Sequence, residues 1–383
     1  MARGERVLVT GGAGFVGSHL ADALLASGHE VTLFDNLEPQ VHGQVEDGGR
    51  PPYLTAEVRL VRGDIRDQDA VRAALRAARP DVVFHLAAMV GVGQSMYQIV
   101  RYTEVNALGA ANLLECLVEE RGAVRKVVVA SSMSIYGEGA YDCPSCGAVA
   151  PRLRPRAQLE QKQWELLCPD CGRVLTPRAT AEEKPLYPTS IYAINKRDHE
   201  EMVLAFGDAY AVPSVALRFF NIYGSRQALT NPYTGVAAIF SGRMLGNQRP
   251  IVFEDGGQLR DFVHVRDIVQ GCLLAMDRPE ADGSVVNVGS GRPVRVLDVG
   301  EILARELGWE GGFEVTGQFR AGDIRHCFAD ITRIRTSLGY EPTVTFEQGV
   351  AELVRWVAEQ RGSALHNDAS AATRELAARG LVR

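Results

Sequence analysis

Short apolar runs alternate with amphipathic stretches through the first 140 residues of the chain. Val7-Leu8-Val9-Thr10 is a run of strand type, followed at once by Gly11-Gly12-Ala13-Gly14-Phe15-Val16-Gly17. Ser18 to Ser27 then places Leu20, Ala23, Leu24 and Leu25 at helical spacing, Gly28 ends the helix, and Val31–Phe34 forms a second strand closed by Asp35. Further runs of strand type lie at 58–61, 82–86 and 127–130, with helical segments predicted near 67–78 and 103–121. Such alternation predicts an α/β fold with a doubly wound parallel sheet. Ligands of such sheets bind at the carboxyl ends of the strands, so a cleft is expected across Asp64, Ala87 and Ser132.

The pattern changes after residue 225. Glycines, prolines and short mixed elements predict a smaller α+β lobe over 225–361, with a partial return to the first domain near 258–276. The first domain is expected to comprise 1–140 and 181–224, with 141–180 inserted into it. Gly- and Pro-rich Glu38–Pro52 reads as a mobile loop, and the tail 362–383 as a surface helix or a loosely ordered end.

The glycines carry the first chemistry. Gly11, Gly14 and Gly17 follow a strand and open a helix, with Asp35 18 positions after the last of them. This order suits a dinucleotide: glycines permit the tight turn, the close approach of backbone to pyrophosphate and the packing of helix on strand. The pyrophosphate sits on unpaired N–H groups at the positive end of the helix. A carboxylate at Asp35 can bond both ribose hydroxyls and repels a 2′-phosphate; Asn36 and Leu37 follow it with no arginine. NAD is therefore expected rather than NADP.

Tyr192 and Lys196 share one helix face at i, i+4 spacing. A nearby ammonium lowers a phenol's pKa, so the tyrosine can exchange a hydroxyl proton while hydride moves to or from the cofactor. Alone, this spacing usually marks a solvated helix face. Behind a dinucleotide turn, and with Ser131-Ser132-Met133-Ser134 at a strand end, it reads as catalytic, with Ser132 donating to the substrate oxygen and Ser134 assisting. No carboxylate lies in that run, so it offers no general acid for expelling water.

Together these residues resemble the extended short-chain dehydrogenase/reductase family, specifically its nucleotide-sugar epimerases and dehydratases. GGAGFVGSHL, Asp35-Asn36, Gly63-Asp64-Ile65, His85-Leu86-Ala87-Ala88, the Ser132 run and Tyr192/Lys196 match in order, and the likeness covers nearly everything outside 141–180. The resemblance implies a Rossmann-type fold and a tightly held NAD on Gly11, Gly14, Phe15, Val16, Gly17, Asp35, Asn36, Asp64, Ile65, Leu86, Ala87, Ala88, Asn106, Ser131, Tyr192, Lys196 and Phe219. It implies that Asn221 meets the sugar nucleotide, Arg260 and Arg320 its phosphates and Asp323 its ribose, and that Cys327 gates the pocket. Met133 and Ser134 occupy positions where the family's dehydratases and decarboxylases carry acids, and a Ser-x-Ser form goes with 4-epimerases. Val90 stands where many UDP-galactose epimerases carry a lysine.

The insert holds Cys143-Pro-Ser-Cys146-Gly and Cys168-Pro-Asp-Cys171-Gly, with 21 residues between the pairs. Paired CxxC predicts one tetrahedral structural Zn²⁺ that lets a short polar segment fold without a core. Four sulfurs leave no open position for catalysis. Such a ribbon resembles that of a bacterial subgroup associated with dTDP-L-rhamnose 4-epimerases, which implies a dTDP-deoxysugar substrate. The alternatives are a UDP-glucose or UDP-glucuronate 4-epimerase, a dehydratase or reductase of the same family, and a non-enzymatic NAD-sensing regulator; the last class usually lacks the tyrosine or the lysine. Cys116, Cys272 and Cys327 read as small core residues.

Composition narrows the setting. The 383 residues are 23% charged and 46% apolar, ordinary for a globular protein, and a net charge of −6 offers no general attraction to nucleic acid or anionic membrane. Arg152, Arg154 and Arg156 have only Trp164 as an aromatic companion, a poor nucleic-acid platform. No signal-peptide core or long apolar run is present, which predicts a cytoplasmic protein. The family likeness implies a homodimer through 103–121 and 190–207, with Leu113, Leu114, Leu117, Met202 and Leu204 on apolar faces.

Overall fold

The computed structural model describes the backbone of residues 4–45, 49–120, 124–229, 231, 233–360 and 369–383. Five strands come first: β1 (Arg6–Thr10), β2 (Glu30–Asp35), β3 (Arg59–Arg62), β4 (Val82–His85) and β5 (Lys126–Ser132). The insert supplies β6 (Ala140–Cys143), β7 (Gly147–Val149) and β8 (Thr176–Arg178). Then follow β9 (Ser214–Phe219), β10 (Asn221–Tyr223), β11 (Ile251–Val252), β12 (Leu259–His264), β13 (Val285–Val288), β14 (Pro293–Arg295), β15 (Glu314–Val315) and β16 (His326–Cys327).

The main sheet has seven parallel strands in the order β13-β9-β5-β4-β1-β2-β3. Its strands read as continuous apolar runs because helices cover both faces. Alternate residues feed the two layers. Val7, Val9, Phe84, Val128 and Leu217 pack with Leu20 and Leu24 of helix Phe15–Ala26 and with Ile268 and Cys272 of helix Val265–Asp277. Leu8, Val83, Val127, Val129 and Ala216 pack on the other side with Val71, Leu75, Leu113, Leu117 and Val203. The chain builds outward from β1 to β3, then crosses to β4 on the opposite side of β1. That reversal opens a crevice at the strand ends, directly beside the glycine turn.

The second lobe pairs β12 with β10, β14 and β16. Its core joins Tyr223, Phe240, Phe262, Leu303, Phe346 and Leu353. The insert is a three-stranded antiparallel sheet in the order β7-β6-β8. Its small core is Tyr141, Cys143, Leu166, Cys168 and Leu175.

Several details differ from expectation. Pro39–His42 is helical, inside the stretch read as a loop. The seventh strand, β13, lies past the 258–276 return. A π-turn over Glu104–Leu108 interrupts the helix expected at 103–121. Helix Ala369–Ala378 ends in a segment that pairs with 319–321, where Phe319 N donates to Arg383 O at 2.8 Å and Ala321 N to Leu381 O at 2.9 Å. Leu113, Leu114 and Leu117 are buried against the sheet, and Met202 and Leu204 pack partly on the same cluster. Ile99, Val100, Leu108 and Ile194 are apolar side chains left exposed in that region. No helix among the described residues is long and apolar enough to cross a membrane.

Candidate active site

A cleft of about 480 Å³ opens at the carboxyl ends of β1, β2, β4, β5 and β9. Gly11, Gly14, Phe15, Val16 and Gly17 form one wall, with Asp35, Asn36 and Ile65 at one end. Leu86, Ala87 and Ala88 line the floor, and Ser131, Ser132, Ser134, Tyr192, Lys196, Phe219 and Asn221 lie at the other end.

The glycine turn leaves no room for side chains. Gly11 has φ +66°, and a Cβ there would lie 2.7 Å from Ala87 Cα. A Cβ on Gly17 would lie 2.6 Å from both Gly11 O and Gly12 Cα. Asp35 ties this turn to the end of β2: its carboxylate accepts from Ala13 N at 3.0 Å and from Leu37 N at 2.9 Å. A closely approachable backbone at a helix N-terminus, facing a buried carboxylate, fits the pyrophosphate and ribose of NAD.

Helix Ile191–Tyr210 starts where Ser190 accepts from Ala193 N at 3.1 Å, a hydroxyl cap that sets the first turn carrying Tyr192. Ser134 Oγ donates to Ser132 Oγ at 2.9 Å, and both serines line the cleft together with Tyr192. Burial raises the Tyr192 pKa, and the Ser132 hydroxyl opposes that rise. Lys196 is buried and donates to Ala130 O at 2.9 Å; burial lowers its pKa to about 7. His85 and His199 lie nearby with ring centroids 5.1 Å apart, and both are held in the neutral form by burial and by the lysine's charge.

Behind the hydroxyls lies a buried polar network. Ser131 Oγ donates to Glu200 Oε2 at 2.7 Å, and Arg218 binds both Glu200 oxygens. Arg218 Nη1 also donates to Tyr136 OH at 2.8 Å, whose hydroxyl donates to Asn287 Oδ1 at 2.7 Å.

Other residues fall outside the cleft lining. Asp64 is bound by Arg66 at 2.8 and 3.0 Å and by Asn36, which lowers its pKa to about 2. Asn106 is buried, its amide spanning Met89 N and Met89 O. Arg260 donates to the carbonyls of Leu259, Arg325 and Ile324, and pairs in register with Cys327. Cys327 is buried, with Thr180 Oγ1 3.8 Å from its sulfur. Arg320 Nε bonds Asp323 at 2.7 Å and stacks on Phe253.

Sequence gave no signal for the polar bridge over the cleft. Gln40 Nε2 donates to Gln94 Oε1 at 2.9 Å and to Asn231 Oδ1 at 3.0 Å, joining three distant segments. Gln40, Asn231 and Tyr233 also line the cleft.

In the insert, the sulfurs of Cys143, Cys146, Cys168 and Cys171 all lie within 4.8 Å of one another, with Cys143 and Cys171 3.4 Å apart. Four sulfurs around one tetrahedral Zn²⁺ at about 2.3 Å stand about 3.8 Å apart, so the set fits that ion. The Ser145 N–H bond helps lower the Cys143 pKa to about 6.

Comparison with known proteins agrees with this geometry. The model of the NAD dependent epimerase/dehydratase family matches residues 7–156 and 169–289, breaking inside the insert. The chain is 35% identical over 359 residues to dTDP-L-rhamnose 4-epimerase of Burkholderia thailandensis, covering 93% of this chain and 96% of that protein. It is 30% identical to a putative UDP-glucose 4-epimerase of Methanocaldococcus jannaschii, covering 92% of this chain and 98% of that protein. Among solved structures, the UDP-glucose 4-epimerase of Thermotoga maritima with UDP-glucose superposes with TM-score 0.76 at 29% identity, covering 93% and 99% of the two chains. That of Thermus thermophilus with NAD gives 0.73 at 31%, covering 94% and 99%. With its seven-stranded parallel sheet and its glycine turn, the chain belongs to the NAD dependent epimerase/dehydratase family, among its isomerases.

Proposed function

We propose that the protein is an NAD-dependent nucleotide-sugar 4-epimerase acting on a dTDP-linked deoxysugar such as dTDP-L-rhamnose. The observation that carries the reading is the convergence of Tyr192, Lys196 and the bonded Ser132 and Ser134 hydroxyls in the glycine-lined cleft. The similarity to the Burkholderia thailandensis enzyme supports the dTDP-deoxysugar. A UDP-glucose or UDP-glucuronate substrate is the second reading, since proteins acting on these also align along nearly the whole chain.

In this reading the glycine turn, Asp35 and the Leu86–Ala88 floor hold NAD, which supplies a reversible hydride acceptor. Tyr192 removes the proton of the sugar C4 hydroxyl as that carbon is oxidised. Ser132 bonds the same oxygen, and Ser134 orients Ser132. The Lys196 cation stabilises the phenolate against the effect of burial. The 4-keto sugar turns about its diphosphate, held by Arg260 and Arg320, with Asp323 on the ribose and Asn221 on the sugar nucleotide. Tyr192 would then return the proton to the C4 oxygen as that carbon is reduced on its opposite face. No net oxidation occurs, so the cofactor stays bound. Met133 lies where an acid for water elimination would stand, which disfavours dehydration.

The reading includes a structural Zn²⁺ on the four cysteines, a cytoplasmic setting that keeps those thiols reduced, and a homodimer. Leu108 and Ile194, which are 49% and 43% exposed, are available for the dimer contact. The test is incubation with UDP-, dTDP- and GDP-sugars without added NAD, read by NMR. Inversion at C4 is expected, and it should be lost in Tyr192→Phe while NAD stays bound. A net absorbance change from NADH, or a 4-keto-6-deoxy product, would replace epimerisation by another reaction.

A further inference from the structure

The stretch Arg320–Cys327 holds only the two-residue strand β16, so local structure does little to fix it. Its peptide groups are instead held by distant side chains and backbone. Arg260 takes the carbonyls of Ile324 and Arg325. On the other side, the insert and its lead-in take several more. Glu138 accepts from Arg325 N at 2.8 and 2.9 Å and from His326 N at 3.3 Å. Gly139 N donates to His326 O at 2.8 Å, and Arg154 Nη2 to Asp323 O at 3.4 Å.

Side chains extend the grip. Arg154 binds Glu254 through two bonds of 2.8 and 2.9 Å, with the two side chains 1% and 2% exposed. Arg325 reaches Glu254, Asp255 and Glu165. His326 accepts from Leu259 N through Nδ1, so its Nε2–H donates to Glu165 at 2.9 Å. Trp164 O accepts from Arg154 Nη1 at 2.9 Å, which ties the far arm of the insert to the same point. The stretch is also tied to the approach to the Tyr192 helix, because Thr189 Oγ1 donates to Gly322 O at 3.0 Å.

We infer that the insert is a positioning element for the nucleotide end of the substrate: Arg154, through Glu254 and the backbone of Asp323, sets where Arg320 and Asp323 stand relative to Tyr192. Arg154 touches no reacting atom in this arrangement and acts through the stretch it holds. A dry, two-point guanidinium–carboxylate pair has one geometry, unlike a solvated surface pair, and so transmits position. The inference rests on the reading that Arg260, Arg320 and Asp323 meet the nucleoside diphosphate.

The test compares Arg154→Met, Arg154→Lys and Glu165→Gln with the wild-type protein. UDP and dTDP are the calorimetric probes, steady-state kinetics use the sugar that the wild type epimerises, and bound NAD and zinc serve as controls. Arg154→Met should weaken the preferred nucleoside diphosphate and raise KM roughly tenfold, with kcat within about twofold and NAD retained. Arg154→Lys should recover part of the loss. Glu165→Gln, at a half-exposed partner, should shift KM in the same direction by less, and carries the test if Arg154→Met fails to fold. Unchanged probe binding and KM in a folded variant would overturn the inference, as would a fall in kcat at constant KM. A wild type that inverts no sugar but binds UDP or dTDP through Arg154 would sink the proposed reaction and leave this inference standing.

Discussion

Ser131 Oγ donates to the Glu200 carboxylate at 2.7 Å, fastening the end of β5 to the helix that carries Tyr192 and Lys196. Glu200 lies one helical turn past Lys196, and Arg218 of β9 neutralises it inside the protein, the two side chains 3% and 5% exposed. Three elements thereby share one buried charge pair directly behind the reactive hydroxyls. Glu200→Gln leaves Arg218 without its counter-charge. Loss of about 3–5 kcal/mol of stability is expected, measured by urea denaturation, as for other buried pairs broken on one side.

Gly17→Ala places a methyl 2.6 Å from Gly11 O and Gly12 Cα, both backbone atoms that have little freedom to yield. The turn must shift and the helix must withdraw from the strand. The purified variant should carry little or no NAD, measured by releasing the cofactor with acid and quantifying it, and should be destabilised by about 1–3 kcal/mol. Retention of a full complement of NAD would contradict the cradle described for this turn.

Removal of zinc should act locally. Cys146→Ser, or treatment with a strong chelator, would remove the zinc proposed for the four cysteines, two of which share a small core with Tyr141, Leu166 and Leu175. Proteolysis within 144–175 should accelerate markedly, while the NAD content of the protein stays unchanged. Metal analysis should find one zinc per chain in the wild type and none in the variant.

The insert's docking should also depend on pH. Glu165 is held at about 2, below its ordinary 4.5, first by the His326 bond and then by Arg325. A depressed carboxylate contributes stability that is present above its unfolded value and is lost as pH falls through the folded one. The melting temperature should therefore fall between about pH 4.5 and 2, and Glu165→Gln should flatten part of that slope. An equal slope in wild type and variant would show that Glu165 contributes nothing to it.

The nucleotide half of the site was legible because its requirements are local. A glycine turn after a strand, an acid at the end of the next strand, and a tyrosine and lysine one helical turn apart each declare themselves within a few residues. Gln40, Gln94 and Asn231 did not, because no short-range pattern marks three amides that meet only when their segments fold together. Leu113, Leu114 and Leu117 show the opposite limit: an apolar helix face looks the same in sequence whether a sheet or a second chain covers it, and here the sheet does.

By itself the sequence determined the parallel sheet, the glycine cradle, the tyrosine–lysine pair and the paired cysteines, since period, turn stereochemistry and short spacing are properties of contiguous residues. Only the tertiary structure decided that Ser134 bonds Ser132 in the cleft that Tyr192 lines, that Arg218 crosses from β9 to Glu200, and that Arg154 of the insert grips Glu254 and Asp323. Those contacts join residues up to 169 positions apart. Their geometry is set by the packing of sheet, lobe and insert upon one another, which no local propensity encodes.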